Sequence, residues 1–362
     1  MANFRAQQRT HLITDQLESR PSMAPTWNPD DTSFPSRKDL PSISGAPKDA
    51  AWFWGSEDGL GRLNLLTPTR VAAASKLIST GEIAPVNLPL NVPSVPAFER
   101  EIFKHEIKTL MPGVAYDDLY TMNTQSGTQW DGFRHFAHIA TQTFYNGTKG
   151  EDITGEKANH KCSIHHWANH GIAGRGVLLD FASWAEKQGR AYDAYGHEEI
   201  SWDELRQVGE SQGIDIRPKS QGGDIEIGDM LFVRSGWVKS YYSKQPDERD
   251  ALAKRHHELG ENNKNTFSGV SQEEKVLDWL HDCYFAAVGG DAPAFECWPS
   301  KHGYFLHEYI LAMWGMPLGE MLDLEKLAET CKKNNRWFFF FASAPANMPG
   351  GVSSHVNGQA IF

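Results

Sequence analysis

Cysteine is nearly absent from this chain. Cys162, Cys283, Cys297 and Cys331 are the four in 362 residues, far apart and with no CxxC pair. They read as reduced thiols of a cytosolic protein, and none has neighbours that would mark it as a nucleophile. Long apolar runs are missing too. No segment approaches the roughly 20 apolar residues of a membrane helix. The start, Met1-Ala2-Asn3-Phe4-Arg5, leads into polar sequence without the apolar core of a signal peptide, so a cytoplasmic protein is expected. Positive charge is in deficit: the net charge is −11 and no basic run stands out. That argues against nucleic acid and against an anionic membrane as partners. There is no GxGxxG, Walker loop, GxSxG, HExxH or internal repeat, and strict βαβ alternation is not visible.

What is present is a chain that can bury a large core, with 40% hydrophobic residues and twelve Trp. Residues 1–45 are polar and rich in Pro and Ser, and read as an extended arm that wraps the body or a partner subunit. Length alone would allow two domains, and residues 46–362 are taken as one larger α/β domain. The Trp52–Asn64 stretch, with its aromatics and three Gly, suggests a tight folded loop. Thr67-Pro68 is an N-cap followed by a first helical residue, and predicts a helix to about Thr80. Residues 82–96 alternate between Pro punctuations and read as strand. Gly176–Phe181, Gly228–Trp237, Tyr284–Asp291 and Arg336–Ala342 read as buried strands. Ser201-Trp202-Asp203-Glu204 and Ser271-Gln272-Glu273-Glu274 read as capping boxes opening helices. Further helices are expected over His302–Trp314 and from Asp323 to about Lys333, and 243–268 as a surface insertion. The fold class is therefore α/β of a non-Rossmann kind, a mixed sheet with surrounding helices.

Polar side chains concentrate in residues 125–138, Gln-Ser-Gly-Thr-Gln-Trp-Asp-Gly-Phe-Arg-His-Phe-Ala-His. If this piece is extended, Gln125, Gln129 and Asp131 point to one side of it. If it turns helical after Gly132, Asp131, His135 and His138 share a helix face. A strand-to-helix junction would aim all of them at one point, as a metal or acid–base site requires. The alternative is a set of solvated or hydrogen-bonded structural residues, and spacing alone leaves both open. A second concentration, His160, His165, His166 and His170, includes an i, i+4 pair that can bind metal on a helix. No carboxylate or Cys accompanies it, and partly exposed histidines are the better reading.

The stretch Gln125-x-Gly127-Thr128-Gln129-x-Asp131-x-x-x-His135 resembles the signature of the cyclase family, His-x-Gly-Thr-His-x-Asp-x-x-x-His, whose members include bacterial kynurenine formamidase and isatin hydrolase. The Gly-Thr-Gln-Trp-Asp wording and Trp54-Gly55 to Asn64 look like one branch of that family. The resemblance runs on through Gly228–Trp237, Ala286–Asp291, His307 to Glu320 and the Pro345–Gly351 loop, covering roughly residues 50–362. It implies a swivelling β/β/α fold and a divalent metal, zinc or manganese. Carried over by position, Asp131 matches a metal-bridging ligand, His307 and Glu320 look like later ligands, and His135 matches the acid/base. Both motif His are Gln here, and a carboxamide is a far weaker ligand than imidazole. One ion held by Asp131, His307 and Glu320 is the expectation.

Two functions follow. The first is a metal-dependent hydrolase of an amide, cyclic amide or lactone, possible in secondary metabolism. There His135 moves protons, His138 orients it, Gln125 and Gln129 bind substrate, and Trp54, Trp130 and Phe136 wall an aromatic or cyclic small molecule. The second is a metal-free lyase, dehydratase or cyclase, with Asp131 and His135 as acid–base pair and the two Gln holding substrate oxygens. The family resemblance also implies a homodimer or homotetramer.

Overall fold

The computed structural model describes residues 26–254 and 265–362. Residues 1–25 of the expected arm, and 255–264 of the expected insertion, lie outside the described residues. The strands are β1 (Ile83–Pro85), β2 (Lys104–Met111), β3 (Ala115–Thr121), β4 (Gln129–Asp131), β5 (Ile172–Leu179), β6 (Glu199–Ile200) and β7 (Met230–Val233). They continue with β8 (Gly269–Val270), β9 (Ala287–Gly290), β10 (Leu318–Glu320), β11 (Phe338–Ser343), β12 (Ser353–His355) and β13 (Gly358–Ile361).

Nine of them form one mixed sheet in the order β1-β13-β11-β5-β7-β9-β10-β4-β12. The centre, β5-β7-β9-β10, is parallel, and antiparallel strands flank it on both sides. Every residue of β7 and β9 is buried, as expected of parallel strands covered on both faces. This is why they read in the sequence as continuous apolar runs. In β11 burial alternates, so Phe339 and Phe341 pack beneath the sheet while Phe338 and Phe340 lie partly open.

Ser201 and Glu204 form the expected reciprocal cap of the helix Trp202–Gln212. The helix after Thr67 starts where expected and ends as a 3₁₀ turn at Leu77. The second expected box is displaced. Glu273 is the N-cap of the helix Glu274–Asp282, and Ser271 stays in the loop before it. Of residues 82–96 only Ile83–Pro85 is strand. The helix expected over 302–314 is shorter, its last part a π-helix, Glu308–Met313, with His307 at its N-cap.

The β2–β3 hairpin is not foreseen by the sequence pattern. Nearly every residue of it is exposed, Ile107, Leu110 and Leu119 included, so it has no inner face to impose alternation. Residues 26–45 lie on the body: Trp27 stacks on Phe53 at 3.8 Å, Phe34 on Tyr284 at 4.7 Å, and Arg37 reaches Asp278 at 2.8 Å. Among the described residues no helix is long and apolar enough to cross a membrane.

Candidate active site

β4 is three residues long and entirely buried. Its pleat sends Gln129 and Asp131 to one face and Trp130 to the other. Register does the rest. β10 runs antiparallel beside it with Glu320 opposite Gln129, so three polar side chains share one face of a buried rung. Trp130 faces the core, its indole N–H donating to Ser343 Oγ at 2.9 Å. Gly319 lies opposite it, where an added Cβ would stand 3.0 Å from the ring.

No helix follows Gly132, contrary to one sequence expectation. The chain makes a tight turn, the His135 N–H donating to Gly132 O at 2.9 Å. Gly132 is required there because a Cβ would come within 2.2 Å of Val352 O. Arg134 clamps the turn from behind, donating to the carbonyls of Lys161 and Asn159 at 2.6 and 2.7 Å. The turn brings His135 Nε2 to 3.9 Å from Asp131 Oδ2. It carries His138 away, onto Thr141 Oγ1 at 2.9 Å, and no bond joins it to His135.

His307 arrives from the far end of the chain. Its Nε2 lies 3.2 Å from Glu320 Oε1 and 3.8 Å from Asp131 Oδ2. Its Nδ1 meets Glu296 Oε1 at 2.6 Å, and Glu296 also accepts from the backbone N–H groups of Leu306 and His307 and from Gln272 Nε2. A carboxylate behind an imidazole fixes the ring and leaves the other nitrogen to face the site. Burial opposes a charge on His307, but its bonds to Glu296 and Glu320 outweigh it and raise the pKa well above the imidazole range. Glu320 is raised by burial and by the Asp131 charge. A positive charge belongs at this point, carried by a proton or by an ion.

The donor set fits a divalent ion. One ligand atom each from Asp131, His307 and Glu320 falls within 4.8 Å of the others, and all three residues are buried. Asp131 Oδ2 and Gln129 Oε1 are buried acceptors with no hydrogen-bond partner. Such atoms are costly unless a cation or a donor satisfies them. Gln129 Nε2 donates to Asp131 Oδ1 and Glu320 Oε2 at 3.1 and 2.9 Å, which leaves the carbonyl as the unpaired atom of its amide. Oxygen ligands with one imidazole suit manganese or zinc.

Gln125 acts on His135. Its Nε2 donates to Asp131 Oδ1 at 2.9 Å and to His135 Nδ1 at 2.8 Å. His135 Nδ1 is therefore an acceptor, and the proton of the neutral ring is on Nε2, facing the site. Burial, with Arg100 and His307 adding to it against the pull of Asp131, lowers the His135 pKa to about 4, so the ring is neutral at physiological pH.

The structure gathers Gln125, Gln129, Asp131, His135, His307 and Glu320. It leaves out His138, Trp54 and Trp130. Trp54 packs edge-on against Phe34 and Phe53. The rings beside the cluster are Phe136, 5.3 Å from His307, and Trp298 and Phe305, which pack on each other at 4.9 Å. Glu296, Trp298 and Phe305 carry no spacing signal in the sequence. A cavity of about 600 Å³ lies elsewhere, between residues 32–34, the helix after Thr67 and residues 225–229. Of the cations on its wall, Arg70, Arg175 and Lys219, Arg175 is paired with Asp229 at 2.7 Å and Arg70 donates to the carbonyls of Pro29, Leu65 and Asp31. No group of metal-ligating side chains stands there among the described residues.

The family model described as Putative cyclase matches residues 86–297, more than half of the chain. The chain belongs to this cyclase family. A solved structure described as a novel cyclase is 26% identical, with a TM-score of 0.72 over 86% of this chain and 99% of that one. Isatin hydrolase A from Ralstonia solanacearum is 14% identical, with a TM-score of 0.52 over 82% and 98% of the two chains. An isatin hydrolase bound to the product analogue thioisatinate is 10% identical, with a TM-score of 0.51 over 80% and 94%. No curated protein matches the chain. The large mixed sheet with its helices is the cyclase-type fold expected from the motif. His307 and Glu320 lie beyond the matched segment, and β10 and the turn before the π-helix bring them back to it.

Proposed function

We propose that this cyclase-family chain is a divalent-metal-dependent hydrolase of an amide, cyclic amide or lactone. The observation that carries the reading is the convergence of Asp131, His307 and Glu320 in a buried site beside two acceptor oxygens that nothing else satisfies. Asp131, His307 and Glu320 would hold the ion, with the Gln129 carbonyl beside them in place of an imidazole. When bound, the ion lowers the pKa of water and polarises a carbonyl.

The chain's own groups divide the proton work. Glu320 would bind through one carboxylate oxygen, leaving the other to take the proton that the attacking water loses. His135 is neutral and presents Nε2–H. It is therefore a donor, to the oxyanion or to the leaving nitrogen or oxygen, before it is a base. Gln125 sets that role by occupying Nδ1. Side chains of Asp131, Glu320 and His307 are almost wholly buried, whereas His135 is 21% exposed, so the site opens on the His135 side.

Elemental analysis together with a panel of aromatic formamides, cyclic amides and lactones tests the reading. About one equivalent of manganese or zinc per chain is expected, with turnover that is lost on chelation and restored on adding the metal back. Full turnover by metal-free protein would sink it in favour of a lyase, dehydratase or cyclase.

A further inference from the structure

One strong cation stands beside the site. Arg100 ends a segment in which Phe98 and Glu99 both hold left-handed backbone, φ +60° and +56°. Two successive non-glycine residues in that region are strained, and such strain is kept where the surrounding structure needs the side chain it presents. The Arg100 guanidinium donates from Nη1 to Gln125 O at 2.5 Å and lies over the Phe98 ring at 5.0 Å. Gln125 is the residue whose amide joins Asp131 to His135, so Arg100 is one residue removed from the reacting groups.

A guanidinium has five N–H donors, and Gln125 O takes one of them. Among the described residues no carboxylate lies within the 4.0 Å of an ion pair with Arg100. Arg37, Arg175 and Arg234 each meet a carboxylate, at 2.8, 2.7 and 2.7 Å, whereas Arg62, Arg70 and Arg134, like Arg100, donate to backbone carbonyls. Arg100 differs from these three in standing near Asp131 and Glu320. The charge of Arg100 still reaches the site, where it acts on Asp131, Glu320 and His135.

Rings lead from Arg100 to the cluster. Phe98 packs edge-on against Trp298 at 5.6 Å, Trp298 against Phe305 at 4.9 Å, Phe305 against Phe136 at 5.8 Å, and Phe136 against His307 at 5.3 Å. Trp298 is itself buried in this row, and Phe98, Phe305 and Phe136 are partly open. A planar, forked cation with donors to spare at one end and the polar cluster at the other suit a molecule with two matching ends.

We propose that Arg100 is the anion-binding, specificity-determining residue of this site: the substrate carries a carboxylate that forks onto the Arg100 guanidinium while its aromatic or cyclic body lies toward the partly open rings of Phe305 and Phe136. The reaction assigned to such a substrate rests on the hydrolase reading above. The recognition of its carboxylate does not. Arginine suits this role because its fork matches a carboxylate with two parallel hydrogen bonds.

Benzoate and benzamide separate charge from shape, being nearly isosteric. Calorimetric titration of both into the full-length protein, with manganese and after chelation, tests the proposal in wild type, Arg100→Gln and Arg100→Lys. Wild type is expected to prefer benzoate by about tenfold in both metal states. Arg100→Gln loses the preference while keeping its benzamide affinity and metal content, and Arg100→Lys keeps part of the preference. A structural role for Arg100 would weaken both ligands together. Equal affinities in wild type, a preference that survives Arg100→Gln, or one that disappears on chelation would each overturn the proposal, the last by assigning the anion to the ion. Arg100-dependent benzoate binding in a protein that takes up no metal leaves this proposal standing and removes the hydrolase reading. Metal uptake with Arg100-independent binding does the reverse.

Discussion

The helix His165–His170, with His160 just before it, and the site around His307 and His135 both gather imidazoles, and only the second gathers them against carboxylates. In the first region His166 Nε2 meets His160 O at 3.1 Å, His170 Nδ1 meets Gly171 O at 2.7 Å, and His165 Nδ1 meets Ser163 Oγ at 2.8 Å. Those rings are at least partly open to solvent, and their nitrogens are used on the local chain. In the second, His307 is buried between Glu296 and Glu320, and Asp131 Oδ2 lies within 4 Å of both imidazole Nε2 atoms with no donor of its own. An imidazole at helical spacing is therefore a weak signal. Buried negative charge left over after every hydrogen bond is counted is a stronger one, because the protein interior does not tolerate it without a cation.

The comparison breaks most visibly if a ligand is removed. His307→Ala and Asp131→Asn are each expected to take the metal content from about one equivalent to none, read by elemental analysis of unchelated protein. If His307→Ala keeps its ion, the site has been assigned wrongly. Next is Glu296→Gln, which leaves every ligand in place and removes only the charge behind His307. Metal affinity should fall about 10–100-fold, measured by competition with a chelator.

A third histidine separates burial from ligation. His281 is as buried as His307, but its Nδ1 meets Asp282 at 2.8 Å and its Nε2 meets nothing. Burial, reinforced by Arg62, lowers its pKa from 6.5 to about 4. Between those values the unfolded chain binds a proton that the folded chain refuses. The contribution of His281 is therefore constant above pH 6.5 and is lost as pH drops from 6.5 to about 4, by about 3 kcal/mol. Denaturant unfolding of wild type and His281→Gln across that range should show a shallower acid loss in the variant; equal slopes would contradict it. The smallest effect belongs to the exposed cluster. His165→Ala with His170→Ala should change stability by no more than about 0.5 kcal/mol and leave metal content untouched.

The parts of the fold that were legible in the sequence are those whose environment leaves a pattern. β7 and β9 are buried on both faces and read as apolar runs, and Ser201 and Glu204 have a cap with its own spacing rule. The β2–β3 hairpin has neither, because water touches both its faces. For the site, Asp131, His135, His307 and Glu320 followed from a motif and its family. Glu296 and Arg100 did not, since each is a single residue placed by tertiary folding. Trp130 misled because its chemistry is visible in sequence and its direction is not. The pleat of β4 turns it inward beneath Gly319.

That same pleat limits how this protein can change. Gln129 and Asp131 flank Trp130 on a strand only three residues long, locked between β10 and β12. Substitution at any of the three alters one side chain. Gain or loss of a single residue between Gly127 and Gln129 would instead exchange the two faces, sending an indole into the reaction space and a carboxylate into the core. Variants of this enzyme can therefore drift in their letters along this segment, as the two glutamines already illustrate, but an insertion or deletion there is closed to them.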